Sequence, residues 1–264
     1  MALQKVMLPE QDGGFPFDLP ILRTTRVLSF VPGVTVLVGE NGSGKSTLLE
    51  AIALAADLPA TGSAADLGRD DTLDAVRPLA DALKLVWTQR SKRGLFLRAE
   101  DYFGYVQAQR RNVRELRAEA KRVSLSAADV HEGERRRRIA PFLGSAAAID
   151  SRYGGDLDAR SHGESYLAFF RGRLTGAGLY LLDEPEAALS PLRQLALLTL
   201  IKDAVARGAQ FVIATHAPIL MALPGARLLE IAEGVIVERM FDDLEHVRVM
   251  REFLDAPEAF VRHL

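Results

Sequence analysis

Val34-Thr-Val-Leu-Val38, Gly39-Glu-Asn-Gly-Ser-Gly-Lys-Ser46 and Thr47-Leu-Leu-Glu-Ala-Ile-Ala-Leu54 follow one another without interruption. The first is a short apolar run with the character of a buried parallel strand, and the last has the apolar spacing of a helix. Between them lies a complete phosphate-binding loop of the form G-x-x-x-x-G-K-[ST]. Its glycines, Gly39, Gly42 and Gly44, allow backbone N–H groups to turn inward, and the helix start adds partial positive charge. Asn41 and Ser43 complete the cradle. Lys45 is expected to reach the β and γ phosphates, Ser46 to offer its hydroxyl to Mg²⁺, and Thr47 to stand beside it as a second hydroxyl. These residues predict binding of a nucleoside triphosphate, ATP with Mg²⁺, and an α/β fold.

Three later segments carry further chemistry. Leu179-Tyr-Leu-Leu-Asp183-Glu184-Pro185 is an apolar strand ending in two carboxylates, with a proline that stops it. Strand ends of an α/β sheet lie over the ligand crevice, so Asp183 is expected to hold Mg²⁺ and Glu184 to orient and activate a water. Ser161-His-Gly163-Glu-Ser165 opens into the apolar helix pattern from Tyr166 to Arg173, which gives a helix N-terminus suited to an anion. Ala214-Thr-His216-Ala-Pro218 is a strand end that delivers one imidazole.

The chain of 264 residues suffices for one large α/β domain with an inserted lobe, and 48% apolar residues can fill its core. A formal net charge of −2 gives no global attraction to nucleic acid or an anionic membrane. Having no cysteine, the chain forms no disulfide, thiolate metal site or cysteine nucleophile, which fits a cytoplasmic setting. The first ten residues, broken by Pro9, read as neither signal peptide nor anchor, and no run reaches transmembrane length.

Along the chain, turn signals at Pro16, Pro20 and Pro32-Gly33 suggest antiparallel strands over residues 15 to 38. Residues 57 to 71 read as a small-residue loop, Leu73 to Val86 as a helix, and Gly94 to Glu100 as a strand after the basic turn 89–93. Residues 103 to 160 differ in kind: Arg and Glu recur at helical spacing and the stretch ends around Gly154-Gly-Asp156, a helical lobe inserted into the core. Strand 179–182, helix 191–207 and strand 210–214 then alternate, which implies a parallel sheet. A strand pair around Glu233-Gly234 and a short helix follow.

Phosphate loop, helical insert, Ser-x-Gly-Glu, Leu-Leu-Asp-Glu-Pro and Ala-Thr-His occur in an order that resembles the ATP-binding-cassette ATPases. The resemblance spans nearly the whole chain as a single cassette, residues 1–264, and is closest to small soluble "AAA family" ATPases with a chromosome-maintenance or repair-like cassette. It is carried by Gly94-Leu-Phe-Leu-Arg-Ala-Glu100, Ser161-His-Gly-Glu-Ser165, Asp183-Glu-Pro-Glu-Ala-Ala-Leu-Ser-Pro191 and Ala214-Thr-His-Ala-Pro218. It implies a mainly parallel sheet with flanking helices and an antiparallel N-terminal β part. It also implies a head-to-tail homodimer with two ATP molecules between subunits, in which Ser161 and Gly163 of one chain meet the γ-phosphate held by the other's Lys45. Glu184 would be the general base and His216 the switch histidine. Two details depart from the family. Ser190 stands where many cassettes have Asp. At the glutamine-loop position both Gln89 and Glu100 are candidates, and strand-end placement favours Glu100 as the Mg²⁺ or water ligand. For the adenine, Phe17, Phe30, Arg23 and Arg26 are available, with core packing the commoner use of either Phe.

What the ATP serves is open at this level. Arg110, Arg111, Arg114, Arg117, Lys121, Arg122 and Arg135 to Arg138 make the lobe locally basic, which suits nucleic-acid phosphates; Glu115, Glu119, Glu132 and Glu134 equally suit a solvated, ion-paired helix. An ATP-hydrolysing dimer switch in nucleic-acid maintenance or defence, a transporter's nucleotide-binding subunit and a regulatory module that captures a protein partner on ATP closure all fit the cassette order.

Overall fold

A computed structural model describes residues 2–10, 13–59, 71–90, 93–127, 129–152 and 162–262. The central sheet has six strands in the order β5-β6-β7-β3-β8-β9. These are β3 (Val34–Gly39), β5 (Gly94–Arg98), β6 (Gly178–Asp183), β7 (Ala209–Ala214), β8 (Arg227–Ala232) and β9 (Val235–Arg239). The first five run parallel, and β9 returns antiparallel to β8 through the Glu233-Gly234 turn.

Every residue of β3, β6 and β7 is buried, as strands covered on both faces must be. Side chains alternate between two cores. Val36, Tyr180, Leu182, Phe211 and Ile213 enter one. Leu37, Leu181 and Val212 enter the other. Helix α2 (Lys45–Ala56) covers the second face through Leu48, Leu49 and Ile52, and α7 (Pro191–Ala206) covers the first through Leu197 and Ile201. Burying such a Leu or Ile contributes about 1.5–3 kcal/mol. Replacing Leu49 or Ile201 with Asp would break the corresponding layer.

The parallel register carries functional consequences. Leu37 pairs with Ala214, Ala214 with Asp183, and Asp183 with Arg98. One row across the sheet therefore joins the end of the phosphate-loop strand to the end of the carboxylate strand, with the strand that precedes His216 between them. Neighbouring strands lie about 4.8 Å apart, so the two motif-bearing strands stand roughly 10 Å apart.

The antiparallel part differs from the expectation. It is a three-stranded sheet in the order β2-β1-β4, made of β1 (Leu3–Met7), β2 (Val27–Ser29) and β4 (Lys84–Trp87). Of residues 15 to 38, only β2 belongs to it. Pro20–Thr24 forms the short helix α1, with Pro20 at its first turn, and β3 joins the parallel sheet. The helix expected over Leu73 to Val86 is shorter. A 3₁₀ turn at Asp71–Leu73 leads to α3 (Arg77–Ala82), whose buried Leu79 and Ala80 lie beside Val76. Leu83 is then extended and the chain becomes β4, where alternation and β-rich Val86-Trp87 win over the helical spacing. β1 is fastened to the main sheet by buried Gln210, whose side chain accepts from Leu3 N–H (2.7 Å) and donates to Leu3 C=O (2.9 Å) and Val31 C=O (3.0 Å).

From the end of β5 the chain passes straight into α4 (Ala99–Ser126), which folds back on α5 (Glu132–Arg152). At 28 residues α4 is about 42 Å long. Its buried residues Val106, Val113 and Ala120, with Ala127 just beyond, recur every seven positions, the spacing of a two-helix seam. The Gly154-Gly-Asp156 loop and the expected loop over 57–71, from Ala60 to Asp70, lie outside the described residues. Helix α6 (His162–Arg173) then returns to the core through Tyr166 and Phe170. Among the described residues no helix is long and apolar enough to cross a membrane. The chain closes with α8 (Pro218–Met221), a 3₁₀ turn, α9 (Glu245–Asp255) and α10 (Pro257–Val261).

Candidate functional site: a phosphate loop facing a carboxylate strand end

The loop between β3 and α2 is built on left-handed backbone. Gly39 has φ +157°, and a Cβ there would lie 2.6 Å from the Ile231 carbonyl oxygen, so only glycine lets β8 pass this closely. Gly44, at φ +92°, caps α2 and turns its first N–H groups toward the loop mouth. Lys45 is buried, and its Nζ donates to Gly39 C=O (2.7 Å), Glu40 C=O (2.8 Å) and Ser43 Oγ (3.3 Å). Burial lowers its pKa, opposed in turn by Glu184, Asp183 and Glu186. Its own loop thus holds the ammonium in place beside the phosphate cradle.

Ser46 donates from Oγ to Asp183 Oδ1 at 3.1 Å across 137 positions of sequence, the contact that brings the two motifs together. Burial pushes Asp183 up to about 7; Glu184 and Glu50 add to the rise, while the Ser46 hydroxyl and Lys45 oppose it. A buried carboxylate without enough positive charge beside a hydroxyl is a hard-oxygen donor pair that fits Mg²⁺. Among the described residues no group of three or more His, Cys, Asp or Glu forms a self-sufficient metal cage.

Glu184 follows Asp183 with φ +47°, unusual for a non-glycine residue and more so before a proline. Its N–H donates to Ala214 C=O (2.9 Å), and the turned backbone sends its half-exposed carboxylate to within 3.8 Å of His216 Nε2. His216 follows β7 by two residues. Its pKa is lowered, first by burial and then by Lys45, with Glu184 opposing and His246 adding, so the neutral ring is favoured.

Two residues at this edge were not singled out by sequence. Glu186 is a part-buried clamp whose Oε1 accepts from Thr215 Oγ1 (2.6 Å), His216 N–H (2.8 Å) and Ala217 N–H (3.1 Å). Burial raises its pKa, with these donors pulling the other way. Its signal was a third acid, three residues after Asp183. His246, at the start of α9, lies with Nε2 3.2 Å from His216 Nδ1, and no sequence signal links the two.

The other expected residues are placed less completely. Asn41, Gly42 and Ser43 line a cleft of about 670 Å³ with Pro20, the β8–β9 turn and His246. Thr47 lies in the first turn of α2. Gly163 is buried in the first turn of α6, where a Cβ would lie 2.7 Å from the Arg193 side chain; Arg193 also pairs with Glu164 at 3.3 Å. Gly163 is thus brought against α7. Ser161 lies outside the described residues, as does the Glu100 side chain, whose backbone is in the first turn of α4. Gln89 is exposed after β4. Phe30 is buried in the second core with Phe17 packed against it, and Arg26 is tied to Leu22 C=O and Glu10. Ser190 caps α7, its carbonyl accepting from Arg193 and Gln194.

A strand, a glycine loop over a helix start and a facing strand end with a carboxylate define a P-loop nucleotide-binding protein. Residues 20–97 match a family model described as an AAA domain, and residues 165–222 one described as "AAA domain, putative AbiEii toxin, Type IV TA system". The chain is 24% identical over 241 residues to the macrolide export ATP-binding/permease protein MacB of Acinetobacter baylyi, covering 90% of this chain and 33% of that protein. It is 29% identical over 215 residues to MacB of Salmonella typhimurium, covering 77% and 29%. The chain thus spans about a third of the length of these curated relatives. Similar solved structures include the Smc head domain of Pyrococcus furiosus bound to the C-terminal domain of ScpA (14% identity, 96% and 99% coverage, TM-score 0.48). An ATP-binding cassette of an ABC transporter in its ADP conformation is also similar (18% identity, 87% and 89% coverage, TM-score 0.47). In its motif order and its two AAA-domain matches on either side of the helical lobe, the chain is a P-loop nucleotide-binding protein similar to ABC-type ATPases.

Proposed function

We propose that this chain binds and hydrolyses ATP as a cytoplasmic switch that closes into a head-to-tail homodimer. In this reading residues 1–264 form one cassette and 103–160 an inserted helical lobe. The observation that carries it is the Ser46–Asp183 contact, with Glu184 and His216 beside it and Lys45 held in the facing loop. The loop N–H groups of residues 39–44 and the start of α2 bind the phosphates, and Lys45 exchanges its carbonyl partners for β and γ oxygens. Ser46 and Asp183 would hold Mg²⁺, with Glu100 as a further ligand, and the ion supplies charge neutralisation on the phosphates. Glu184 orients a water and takes its proton as the water oxygen bonds to the γ phosphorus and the bond to the ADP oxygen breaks. His216 presents a donor to a γ oxygen. Ser161 and Gly163 of a second chain close over the same phosphate, which suits a Gly163 that faces α7 in its own chain.

Phosphate release by the wild type and by Lys45→Ala tests this reading. The expected result is Mg²⁺-dependent turnover that the variant loses with its ATP binding. Wild-type ATP binding without measurable turnover, with or without nucleic acid, would remove the hydrolytic part.

For the output, the basic lobe and a repair-like cassette favour nucleic-acid maintenance or defence, and the description of the model that matches residues 165–222 is compatible with defence. Filter binding of DNA and RNA across salt concentrations should show an ATP-dependent affinity with a measurable salt slope; no effect of ATP and a flat slope would exclude it. The names of the curated relatives favour a second reading, the nucleotide-binding part of an exporter. Co-purification with an integral membrane protein would support that reading and its absence would oppose it.

A further inference from the structure

His216 is held at its backbone by Glu186, which leaves the rotation and protonation of its ring to be set by other groups. On one side, Nδ1 lies 3.2 Å from His246 Nε2. On the other, Nε2 is buried with no hydrogen-bond partner among the described residues, 3.8 Å from Glu184 Oε1. A neutral imidazole has one donor nitrogen and one acceptor nitrogen, so in the His–His contact one ring donates and the other accepts. When His246 donates, the single proton of His216 sits on Nε2 and points at the Glu184 carboxylate. The reverse assignment buries an Nε2 lone pair against that carboxylate oxygen, which is repulsive. The geometry therefore selects the first arrangement.

His246 is well placed to impose it. It is the second residue of α9, and the start of that helix is pinned: Glu245 N–H donates to the buried Glu230 carboxylate (3.1 Å), while Leu244 and Val247 enter the first core. The same imidazole lines the cleft beside the phosphate loop. It thus bridges the nucleotide edge and the C-terminal helix.

We infer that His246 is a positioning residue: by donating from Nε2 to His216 Nδ1, it holds His216 as the Nε2–H form that offers a hydrogen bond to a γ-phosphate oxygen. The catalytic consequence rests on the ATPase reading above; the tautomer does not. Outer partners of this kind fix ring orientation, and their loss commonly costs 10- to 100-fold in activity.

Histidine ¹⁵N–¹H correlation spectra of the full chain read the tautomer directly, beside steady-state ATP turnover. Wild-type His216 should carry its proton on Nε2, and His246→Phe should shift it toward Nδ1 or a mixture. His246→Phe should lower kcat about tenfold with KM for ATP changed less than about twofold, whereas His246→Gln, which keeps an N–H donor, should stay within about threefold of wild type. A wild-type His216 protonated on Nδ1 would overturn the inference, and that spectrum decides even where His246→Phe does not fold. Unchanged kcat in a folded His246→Phe would overturn the catalytic consequence. A wild type that releases no phosphate would instead sink the ATPase reading, while the spectrum still decides the tautomer.

Discussion

The C-terminal edge of the central sheet and the α4–α5 lobe handle charge in opposite ways. At the sheet edge, Lys45 and Asp183 are buried and Glu186 is part-buried, their pKa values move, and Asp183 and Glu186 are held by partners from distant parts of the chain while Lys45 is held by its own loop. In the lobe, Arg122 pairs with the half-buried Glu119, and the exposed Arg136 and Arg138 pair with Glu132 and Glu134, each within about one turn of helix. Such pairs are worth about 0–1 kcal/mol and weaken with salt. The buried set is rigid and costly to disturb, which suits chemistry. The exposed set can exchange its acids for other anions at little cost, which suits an interaction surface. These pairs also reduce the net positive field of the lobe, so any nucleic-acid binding has to displace them.

Four substitutions sharpen this contrast, from the largest expected effect to the smallest. Glu184→Gln should lower kcat by about 10³-fold with ATP affinity retained, since the carboxylate takes a proton only during the reaction; phosphate-release kinetics beside nucleotide binding check it, and unchanged turnover would remove Glu184 as the base. Glu186→Leu leaves Thr215 Oγ1 and His216 N–H without their Glu186 acceptor, while Ala217 N–H keeps Thr215 Oγ1, and should cost about 3 kcal/mol in urea unfolding. Gln210→Leu leaves the Leu3 and Val31 backbone groups unpaired and should cost about 2 kcal/mol by the same assay. Arg117→Ala removes the ion pair with Asp150 that links α4 to α5 (2.7 Å) and should cost less than about 1 kcal/mol, with turnover unchanged. A large loss there would mean that the lobe is as tightly determined as the sheet edge.

The legibility of the sequence follows the same division. Each all-buried parallel strand is a short apolar run bounded by a turn residue, so β3, β6 and β7 could be read directly, and so could the loop between β3 and α2. The register that aligns Leu37, Ala214 and Asp183 came only from the structure, because motif order does not fix which residues pair. β1 was missed because Leu3-Gln-Lys-Val-Met7 has only two core residues and is held by Gln210, some 200 positions away. β4 was hidden inside an apparently helical spacing because strand pairing with β1, a tertiary effect, decides that segment. Glu186 and His246 could not be identified as parts of the edge, because their roles depend on which strand end they face and not on local pattern.

The claim on which the account turns is that one ATP site needs two chains. Its most direct test is the solution mass of Glu184→Gln with and without Mg-ATP, since the variant should bind ATP and fail to discharge it. The predicted result is a monomer that becomes a dimer on adding Mg-ATP and reverts when Ser161→Arg is added. A mass that ATP leaves unchanged, with binding confirmed, would contradict the two-chain site.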